Sequence, residues 1–112
     1  MKLVINACHG GFGLSQDAVM RYAELKGINL VIDTKYSLPH YYKDSISNAN
    51  YFHDADIPRN DPALVQVVEE LGEKASDSFA KLRIVEIPDN VDWEINEYDG
   101  SEWVSEKHRI WS

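Results

Sequence analysis

The sequence predicts an α/β fold with α+β character, in which one domain spans residues 1–112. About five strands are expected to form one mixed sheet, with two helices packed on it. Three observations lead to this prediction. Short apolar runs alternate with two segments of helical periodicity, a strand–helix–strand unit opens the chain, and an alternating segment before Asp99-Gly100 is typical of an antiparallel hairpin.

The N-terminal unit begins with a contiguous apolar run at residues 3–5, which indicates a buried strand over residues 2–7. A glycine-rich loop follows. Ser15 is a good helix N-cap, and Gly27 is placed to end that helix. The next apolar strand covers residues 28–33. Because strand–helix–strand units are connected by right-handed parallel crossovers by default, we expect the two strands to be parallel neighbours.

The segment from residue 36 to residue 60 shows neither the helical nor the strand period and is rich in tyrosine. An irregular segment of this length inside a small domain is often functional. Tyrosine is common at binding hot spots, so these rings are candidates to anchor a partner or a ligand. The alternative is that they only cover the open end of the sheet. The tyrosines concerned are Tyr36, Tyr41, Tyr42 and Tyr51.

A second helix is predicted to begin at Asp61-Pro62, an N-cap followed by proline at the first helical position. Its apolar stripe runs through Leu64, Val68, Leu71 and Ala75. Gly72 weakens this helix but need not end it, because Ala75 and Phe79 continue the stripe. A strand over residues 82–87 follows.

The C-terminal hairpin is predicted from the alternation of residues 91–98, the Asp99-Gly100 turn and a second strand over residues 101–111. One face is expected to join the core and the other to meet water. This register places Ile95 opposite Val104. It also places Glu97 opposite Glu102, an unfavourable pair of like charges that a basic partner would relieve.

The formal net charge of −8 is confined to one half of the chain. Residues 1–60 carry equal numbers of basic and acidic side chains, so the whole excess lies in residues 61–112. From Glu86 to Glu106 there are eight carboxylates and no Lys or Arg. Such a surface repels phosphate backbones, so direct nucleic-acid binding is not expected, and it attracts basic protein surfaces. The alternative is a solvated face that only keeps the protein soluble.

The glycine loop supports a second hypothesis, a site for a nucleotide or another phosphorylated small ligand. A helix N-terminus behind a glycine-rich turn offers backbone amides to an anion, and Asp33 lies twenty residues after Gly13, where dinucleotide-binding units place a ribose-binding acid. However, Gln16 stands where the third glycine of that pattern would be, and the P-loop lysine is absent. A structural turn therefore remains the alternative. The candidate ligand residues are Gly10, Gly11, Phe12, Gly13, Ser15 and Asp33.

No catalytic residues, metal or cofactor are predicted, and enzymatic activity is left open with non-enzymatic binding favoured. Cys8 is the single cysteine, which excludes an internal disulfide and indicates a reducing compartment, so a cytoplasmic location is expected. His53-Asp54-Ala55-Asp56 resembles part of a metal site but has no matching second cluster. No apolar run is long enough to cross a membrane.

Two pairs of stretches carry a resemblance to a known group. Lys-Leu-Val-Ile-Asn at residues 2–6 is followed by Gly-Gly-Phe-Gly-Leu-Ser at 10–15, and Glu-Ile-Pro-Asp at 86–89 by Glu-Tyr-Asp-Gly-Ser-Glu-Trp at 97–103. The chain resembles small uncharacterised proteins encoded by tailed bacteriophages over residues 1–27 and about 59–112. The resemblance carries no established activity. It implies an accessory protein acting in the bacterial host cytoplasm, where such proteins often inhibit host or defence proteins.

The sequence therefore favours a small acidic interaction protein that binds, and inhibits, a basic surface of a host or defence protein. The residues expected to contact that partner are Asp92, Glu94, Glu97, Asp99 and Glu102, with Tyr41 and Tyr42 as anchors. A phosphorylated-ligand protein, acting as a sponge or an enzyme, is the second hypothesis. A structural or assembly role is the third.

Overall fold

The computed structural model describes residues 1–35 and 38–107. Two α-helices and seven strands are found in this part of the chain. The helices are α1 (Gln16–Lys26) and α2 (Pro62–Leu71). The strands are β1 (Lys2–Asn6), β2 (Leu30–Asp33), β3 (His40–Lys43), β4 (Tyr51–Phe52), β5 (Leu82–Glu86), β6 (Trp93–Tyr98) and β7 (Ser101–Glu106).

The strands form three small antiparallel sheets, ordered β1–β5, β2–β3–β4 and β6–β7. The α+β character, the two helices and the C-terminal hairpin are confirmed. The prediction of one mixed sheet was wrong, as was that of a parallel crossover between the first two strands. The tyrosine-rich segment supplies β3 and β4, so β2 finds an antiparallel partner close to it in the chain, while β1 pairs with the distant β5.

Both predicted helix starts are confirmed in atomic detail. The Ser15 hydroxyl accepts a hydrogen bond from the Ala18 amide at 3.2 Å, and the Asp61 carboxylate accepts one from the Ala63 amide at 2.8 Å. Gly27 ends α1 with a φ of +69°, a left-handed conformation that glycine adopts without strain. The capping residues in the sequence were therefore sufficient to predict where both helices begin.

The main core lies between the two helices and β1, β4 and β5. Val4, Val19, Leu64 and Val67 are its largest fully buried side chains. α1 packs against α2, and α2 also packs against β1 and β5. The apolar stripe of α2 therefore faces the interior, as its periodicity predicts.

The second helix ends earlier than expected. Gly72 has a φ of +57°, and a short 3-10 turn over Gly72–Ala75 replaces the predicted continuation of α2. Ala75 still reaches the core, but Phe79 is 67% exposed. A glycine at a helix end adopts a positive φ at low cost, and this conformation ends the helix. The apolar stripe alone was therefore not sufficient to extend α2 beyond Gly72.

The hairpin has the predicted register, with Ile95 opposite Val104 and Glu97 opposite Glu102. Its expected packing was wrong, because no residue of β6 or β7 belongs to the main core cluster. Trp93, Ile95 and Val104 are only half-buried. The second strand ends at Glu106, and the predicted strand residues 108–111, like Tyr36, lie outside the described residues.

Within residues 1–35 and 38–107, no helix has the length and apolar character needed to span a bilayer.

Candidate binding surface and cavity

The hairpin presents two different faces, because side chains alternate along each strand. Residues 93, 95, 97, 102, 104 and 106 share one face, which includes the side chain that contacts the body of the protein, Glu102. The opposite face, termed the outer face here, consists of Glu94, Asn96, Tyr98, Ser101, Trp103 and Ser105.

A buried ion pair holds the hairpin to the body. The guanidinium of Arg59 donates to both carboxylate oxygens of Glu102, at 2.6 and 2.9 Å, and the two side chains are 17% and 9% exposed. The same carboxylate accepts the amide of Asn6 at 2.7 Å, and the Arg59 guanidinium lies 3.7 Å from the ring centroid of Phe12. A cation of the chain itself, Arg59, therefore pairs with Glu102, where the sequence pattern led to the expectation of a basic partner.

This arrangement gives Glu102 and Phe12 a structural role. Val4 and Asn6 lie on the edge of β1 that faces away from β5. The Val4 amide donates to the Arg59 carbonyl at 2.9 Å, and the Asn6 amide donates to Glu102. Because unpaired strand edges are prone to association, the ion pair protects this edge as it orients the hairpin. Of the five hairpin acids predicted to contact a partner, Glu102 forms a buried ion pair within the protein, and Glu97 accepts the Gly100 amide at 3.1 Å.

Asn6 fixes the tip of the hairpin and is fully buried. Its side-chain amide donates to the carbonyls of Cys8 and Gly100 at 2.7 and 2.8 Å, and its oxygen accepts the Lys81 amide at 2.8 Å. One side chain therefore joins the glycine loop, the hairpin turn and the segment before β5. Sequence reasoning missed Asn6 and Arg59; an asparagine within an apolar strand was the available signal.

The outer face exposes two large aromatic side chains and the carboxylate of Glu94, while Glu97, on the opposite face, accepts the Gly100 amide at 3.1 Å. Tyr98 is 73% and Trp103 49% exposed. Between them, Asn96 donates to the Ser105 hydroxyl at 2.6 Å, which holds the polar centre of the face in place. Within the described ranges, the carboxylates of Glu94, Glu97, Asp99 and Glu106 form no ion pair. Asp92, also exposed, lies just before this strand.

The glycines of the predicted phosphate loop serve close packing. A side chain at Gly10 would collide with the Phe79 carbonyl, and one at Gly13 with the Asp77 carboxylate. Gly11 has a φ of +89° and faces open space, so glycine is favoured there by the backbone conformation alone. The turn glycine Gly100 packs directly against this loop, where an added Cβ would lie 2.5 Å from the His9 carbonyl oxygen.

The amides that follow the loop are already paired. The Leu14 amide donates to the Asp54 carboxylate at 2.9 Å, and the Ser15 amide to the Ala75 carbonyl at 2.9 Å. Asp33 accepts the Lys35 amide at 3.0 Å in a local turn. An anion approaching this loop would therefore meet a carboxylate where a phosphate site offers amides.

A cavity of about 410 Å³ lies between the first turn of α1, the β3–β4 strands and residues 76–78. It brings together Ser15 and Tyr41, which the sequence assigned to two different hypotheses, and adds Asp54 and Asp77 to them. Gly10, Gly11, Phe12, Gly13 and Asp33 are not among its lining residues. Burial raises the pKa of Tyr41, and the negative charge of Asp54 raises it further.

The two predicted tyrosine anchors lie on β3, which pairs with β2 and β4 and not with the hairpin. Tyr41 packs against the core, whereas Tyr42 contacts Tyr51 edge-on with ring centroids 5.5 Å apart. The structure therefore does not place Tyr41 and Tyr42 in one sheet with the acidic hairpin. Trp103 and Tyr98 are the exposed aromatic side chains of the hairpin.

No protein-family model matches the chain, and no curated protein or solved structure was found to be similar to it. Within residues 1–35 and 38–107, no group of three or more His, Cys, Asp or Glu side chains is arranged to hold a metal ion.

Proposed function

We propose that this protein is a non-enzymatic binding protein that docks the outer face and turn of its hairpin on a basic surface of another protein. The observation that supports this function is the combination of exposed Tyr98, Trp103 and Glu94 on the outer face with the exposed carboxylates of Asp99 in the turn and Glu97 beside it. Its partner surface would carry Lys or Arg around an apolar or aromatic depression.

The aromatic side chains would supply most of the affinity. Hot spots are enriched in tryptophan and tyrosine, because large, stiff rings bury much area with little loss of side-chain entropy. Trp103 lies in the middle of β7, opposite Asn96, so its ring is surrounded by other residues of the outer face. This central position is the one in which an anchor excludes water best.

The carboxylates would act mainly on encounter and orientation. Exposed charges contribute little to affinity individually, but a field of one sign speeds the approach of an oppositely charged surface and sets its orientation. Residues 86–106 contain no lysine or arginine that would weaken this field. In this proposal Glu102 is a positioning residue, since its carboxylate is bonded to Arg59 and Asn6.

The identity of the partner class rests on the resemblance to bacteriophage proteins. A phage accessory protein encounters the proteins of the bacterial cytoplasm, many of which have basic grooves for nucleic acid. An acidic surface that occupies such a groove would exclude the nucleic acid and inhibit the host or defence protein. The step from binding to inhibition rests on this context alone.

The decisive experiment is quantitative capture from bacterial host lysate, followed by calorimetry with the purified captured protein. Trp103→Ala should weaken binding at least about tenfold, the effect of losing a hot spot. Glu94→Lys/Glu97→Lys should weaken it to a similar degree and reduce its dependence on salt. Trp103→Ala should retain the wild-type thermal midpoint, because this side chain is exposed. Glu94→Lys/Glu97→Lys should not lower the midpoint, because it removes like-charge repulsion on the hairpin.

The matched control is Asp56→Lys/Glu73→Lys, which makes the same change in net charge at exposed positions outside the hairpin. It should bind like the wild type. If the control loses binding as completely as the hairpin variant, recognition depends on overall charge and the proposed surface is wrong. Equal binding by the wild type and Trp103→Ala would exclude the aromatic anchor.

A further inference from the structure

The cavity beside α1 has the size and construction of a small-ligand site. Its volume of about 410 Å³ falls in the range of roughly 300–1,000 Å³ typical of ligand pockets. Leu14, Val19 and Phe52 provide apolar surface, and Tyr41 adds an aromatic wall. Phe52 and Val19 belong to the core, so this part of the wall is built on rigid elements.

The charged groups that line this cavity are acidic. Asp54 and Asp77 contribute carboxylates, and among the described residues no lysine or arginine lines it. Asp54 is anchored, because one of its oxygens accepts the Leu14 amide. Asp77 is anchored by the Phe79 amide at 2.8 Å, and Gly13 leaves room for its carboxylate.

His53 lies beside Asp54 at the wall of the cavity. The Nδ1 atom of His53 lies 3.7 Å from the Asp54 carboxylate, but it accepts the Ala55 amide at 3.2 Å. This hydrogen bond occupies the histidine nitrogen nearest to Asp54, so the carboxylate is available to a ligand in the cavity.

The opposing influence is the N-terminus of α1, which meets the cavity at Ser15 and Gln16. A helix N-terminus carries the equivalent of about half a positive charge, which would favour an anion. Two full negative charges outweigh it. In addition, the amides of Leu14 and Ser15 are already paired with protein oxygens.

We propose that this cavity binds an organic monocation, a guanidinium or alkylammonium group on an apolar stem. Asp54 and Asp77 would hold the cationic head, Tyr41 would contact its face, and the stem would lie on Leu14, Val19 and Phe52. The site is independent of the hairpin surface. The cation has two possible sources, a free small amine and an arginine or lysine side chain of a peptide.

The test compares three probes of nearly the same shape by isothermal titration calorimetry on the full chain. Butylguanidinium carries the charge, butylurea is its neutral isostere, and butyl phosphate is the anion that the glycine-loop hypothesis requires. Butylguanidinium should bind at least tenfold more tightly than butylurea, and butyl phosphate should not bind. Preference for butyl phosphate, equal binding of butylguanidinium and butylurea, or no binding of butylguanidinium at millimolar concentration would overturn the proposal.

The variants test the site itself. Asp54→Asn should weaken butylguanidinium binding at least tenfold while its amide oxygen still accepts the Leu14 amide. Asp77→Asn, whose oxygen can still accept the Phe79 amide, serves if Asp54→Asn lowers the thermal midpoint. Asp56→Asn makes the same change two residues away at an exposed position that does not line this cavity, and should bind normally. Wild-type affinity in both Asp54→Asn and Asp77→Asn would overturn the assignment.

A final comparison separates the two sources of the cation. A capped Ala-Ala-Arg-Ala-Ala peptide that binds more tightly than butylguanidinium supports a peptide side chain. A peptide that binds more weakly supports a free small amine, because the added backbone then does not fit.

Discussion

At the residue scale, the most informative group is a buried polar pair between the two helices. The Tyr22 hydroxyl donates to the Asp61 carboxylate at 2.8 Å, and Tyr22 and Asp61 are 5% and 8% exposed. Burial and this hydrogen bond raise the pKa of Tyr22 to about 12. Burial alone would raise the pKa of Asp61, but hydrogen bonds from Tyr22 and Ala63 and the nearby Lys26 lower it.

We expect Tyr22→Phe to lower the free energy of unfolding at pH 7 by about 1–2 kcal/mol, because Asp61 loses a hydrogen-bond donor inside the protein. The neutral phenol of Tyr22 stabilises the fold fully below its ordinary pKa of about 10, and this contribution is lost as the pH rises toward about 12. Chemical denaturation between pH 7 and 12 should show a larger loss in the wild type than in Tyr22→Phe, which keeps only the contribution of Tyr41, whose pKa is also raised.

At acidic pH, the stability contribution of Asp61 changes with pH in the opposite direction. Because the pKa of Asp61 is lowered in the folded state, its stabilising contribution is present above the carboxyl group's ordinary pKa and is lost as the pH falls through the folded value. Tyr98→Phe is the control, because this side chain is 73% exposed. It should leave the pH dependence of stability unchanged at both the acidic and the alkaline end. A titration by absorbance in which every tyrosine ionises near pH 10 would contradict the assignment.

At the scale of elements, the hairpin is attached to the body by a few polar contacts and not by the core. Arg59, Asn6 and Glu102 form this attachment, and Gly100 packs against the His9 carbonyl at its tip. Such contacts are directional, so they orient the outer face more sharply than apolar packing of the same extent would.

We expect Glu102→Ala to destabilise the protein by about 3–5 kcal/mol, because it leaves the Arg59 charge and the Asn6 amide without their partner in a mostly buried position. Urea denaturation measures this loss. Glu94→Ala, on the exposed outer face of the same hairpin, should change stability by no more than about 0.5 kcal/mol. Equal unfolding midpoints for the two variants would show that the ion pair does not hold the hairpin.

At the scale of the whole molecule, the uneven distribution of charge destabilises the folded state. Residues 61–112 carry the entire net charge of −8, and much of it is concentrated on the hairpin, where Glu94, Glu97 and Asp99 have no ion-pair partner in the part of the chain described. Like charges on one surface repel one another, and this repulsion weakens as salt is added.

Glu94→Gln/Glu97→Gln should therefore raise the thermal midpoint at low salt, by about 1–3 °C, since a few tenths of a kcal/mol correspond to such a shift in a domain of this size. The gain should disappear at high salt, and calorimetric scans at both salt concentrations test it. Gln66→Glu, which adds an exposed charge on α2, should not reproduce the gain. A lower midpoint in the glutamine variant would show that the acids stabilise the fold.

What could be predicted from the sequence was local. The starts of both helices at Ser15 and Asp61, the turn at Asp99-Gly100 and the register of Glu97 against Glu102 were confirmed. Each depends on hydrogen bonds or alternation within a few neighbouring residues. The sequence pattern therefore contains the interactions that produce these features. The exposure of Glu94 on the outer face also follows from the alternation of side chains along the strand.

The partners across long distances in the chain were decided only by the tertiary structure. Apolar runs such as β1 and β2 show equal preference for parallel and antiparallel neighbours, and the formation of β3 and β4 from the tyrosine-rich segment decided between them. Arg59 contacts Glu102, which lies 43 positions later in the chain, and Asn6 contacts Gly100, which lies 94 positions later. No periodicity links such residues, since their contact depends on how the helices and sheets pack, and packing is a property of the assembled chain.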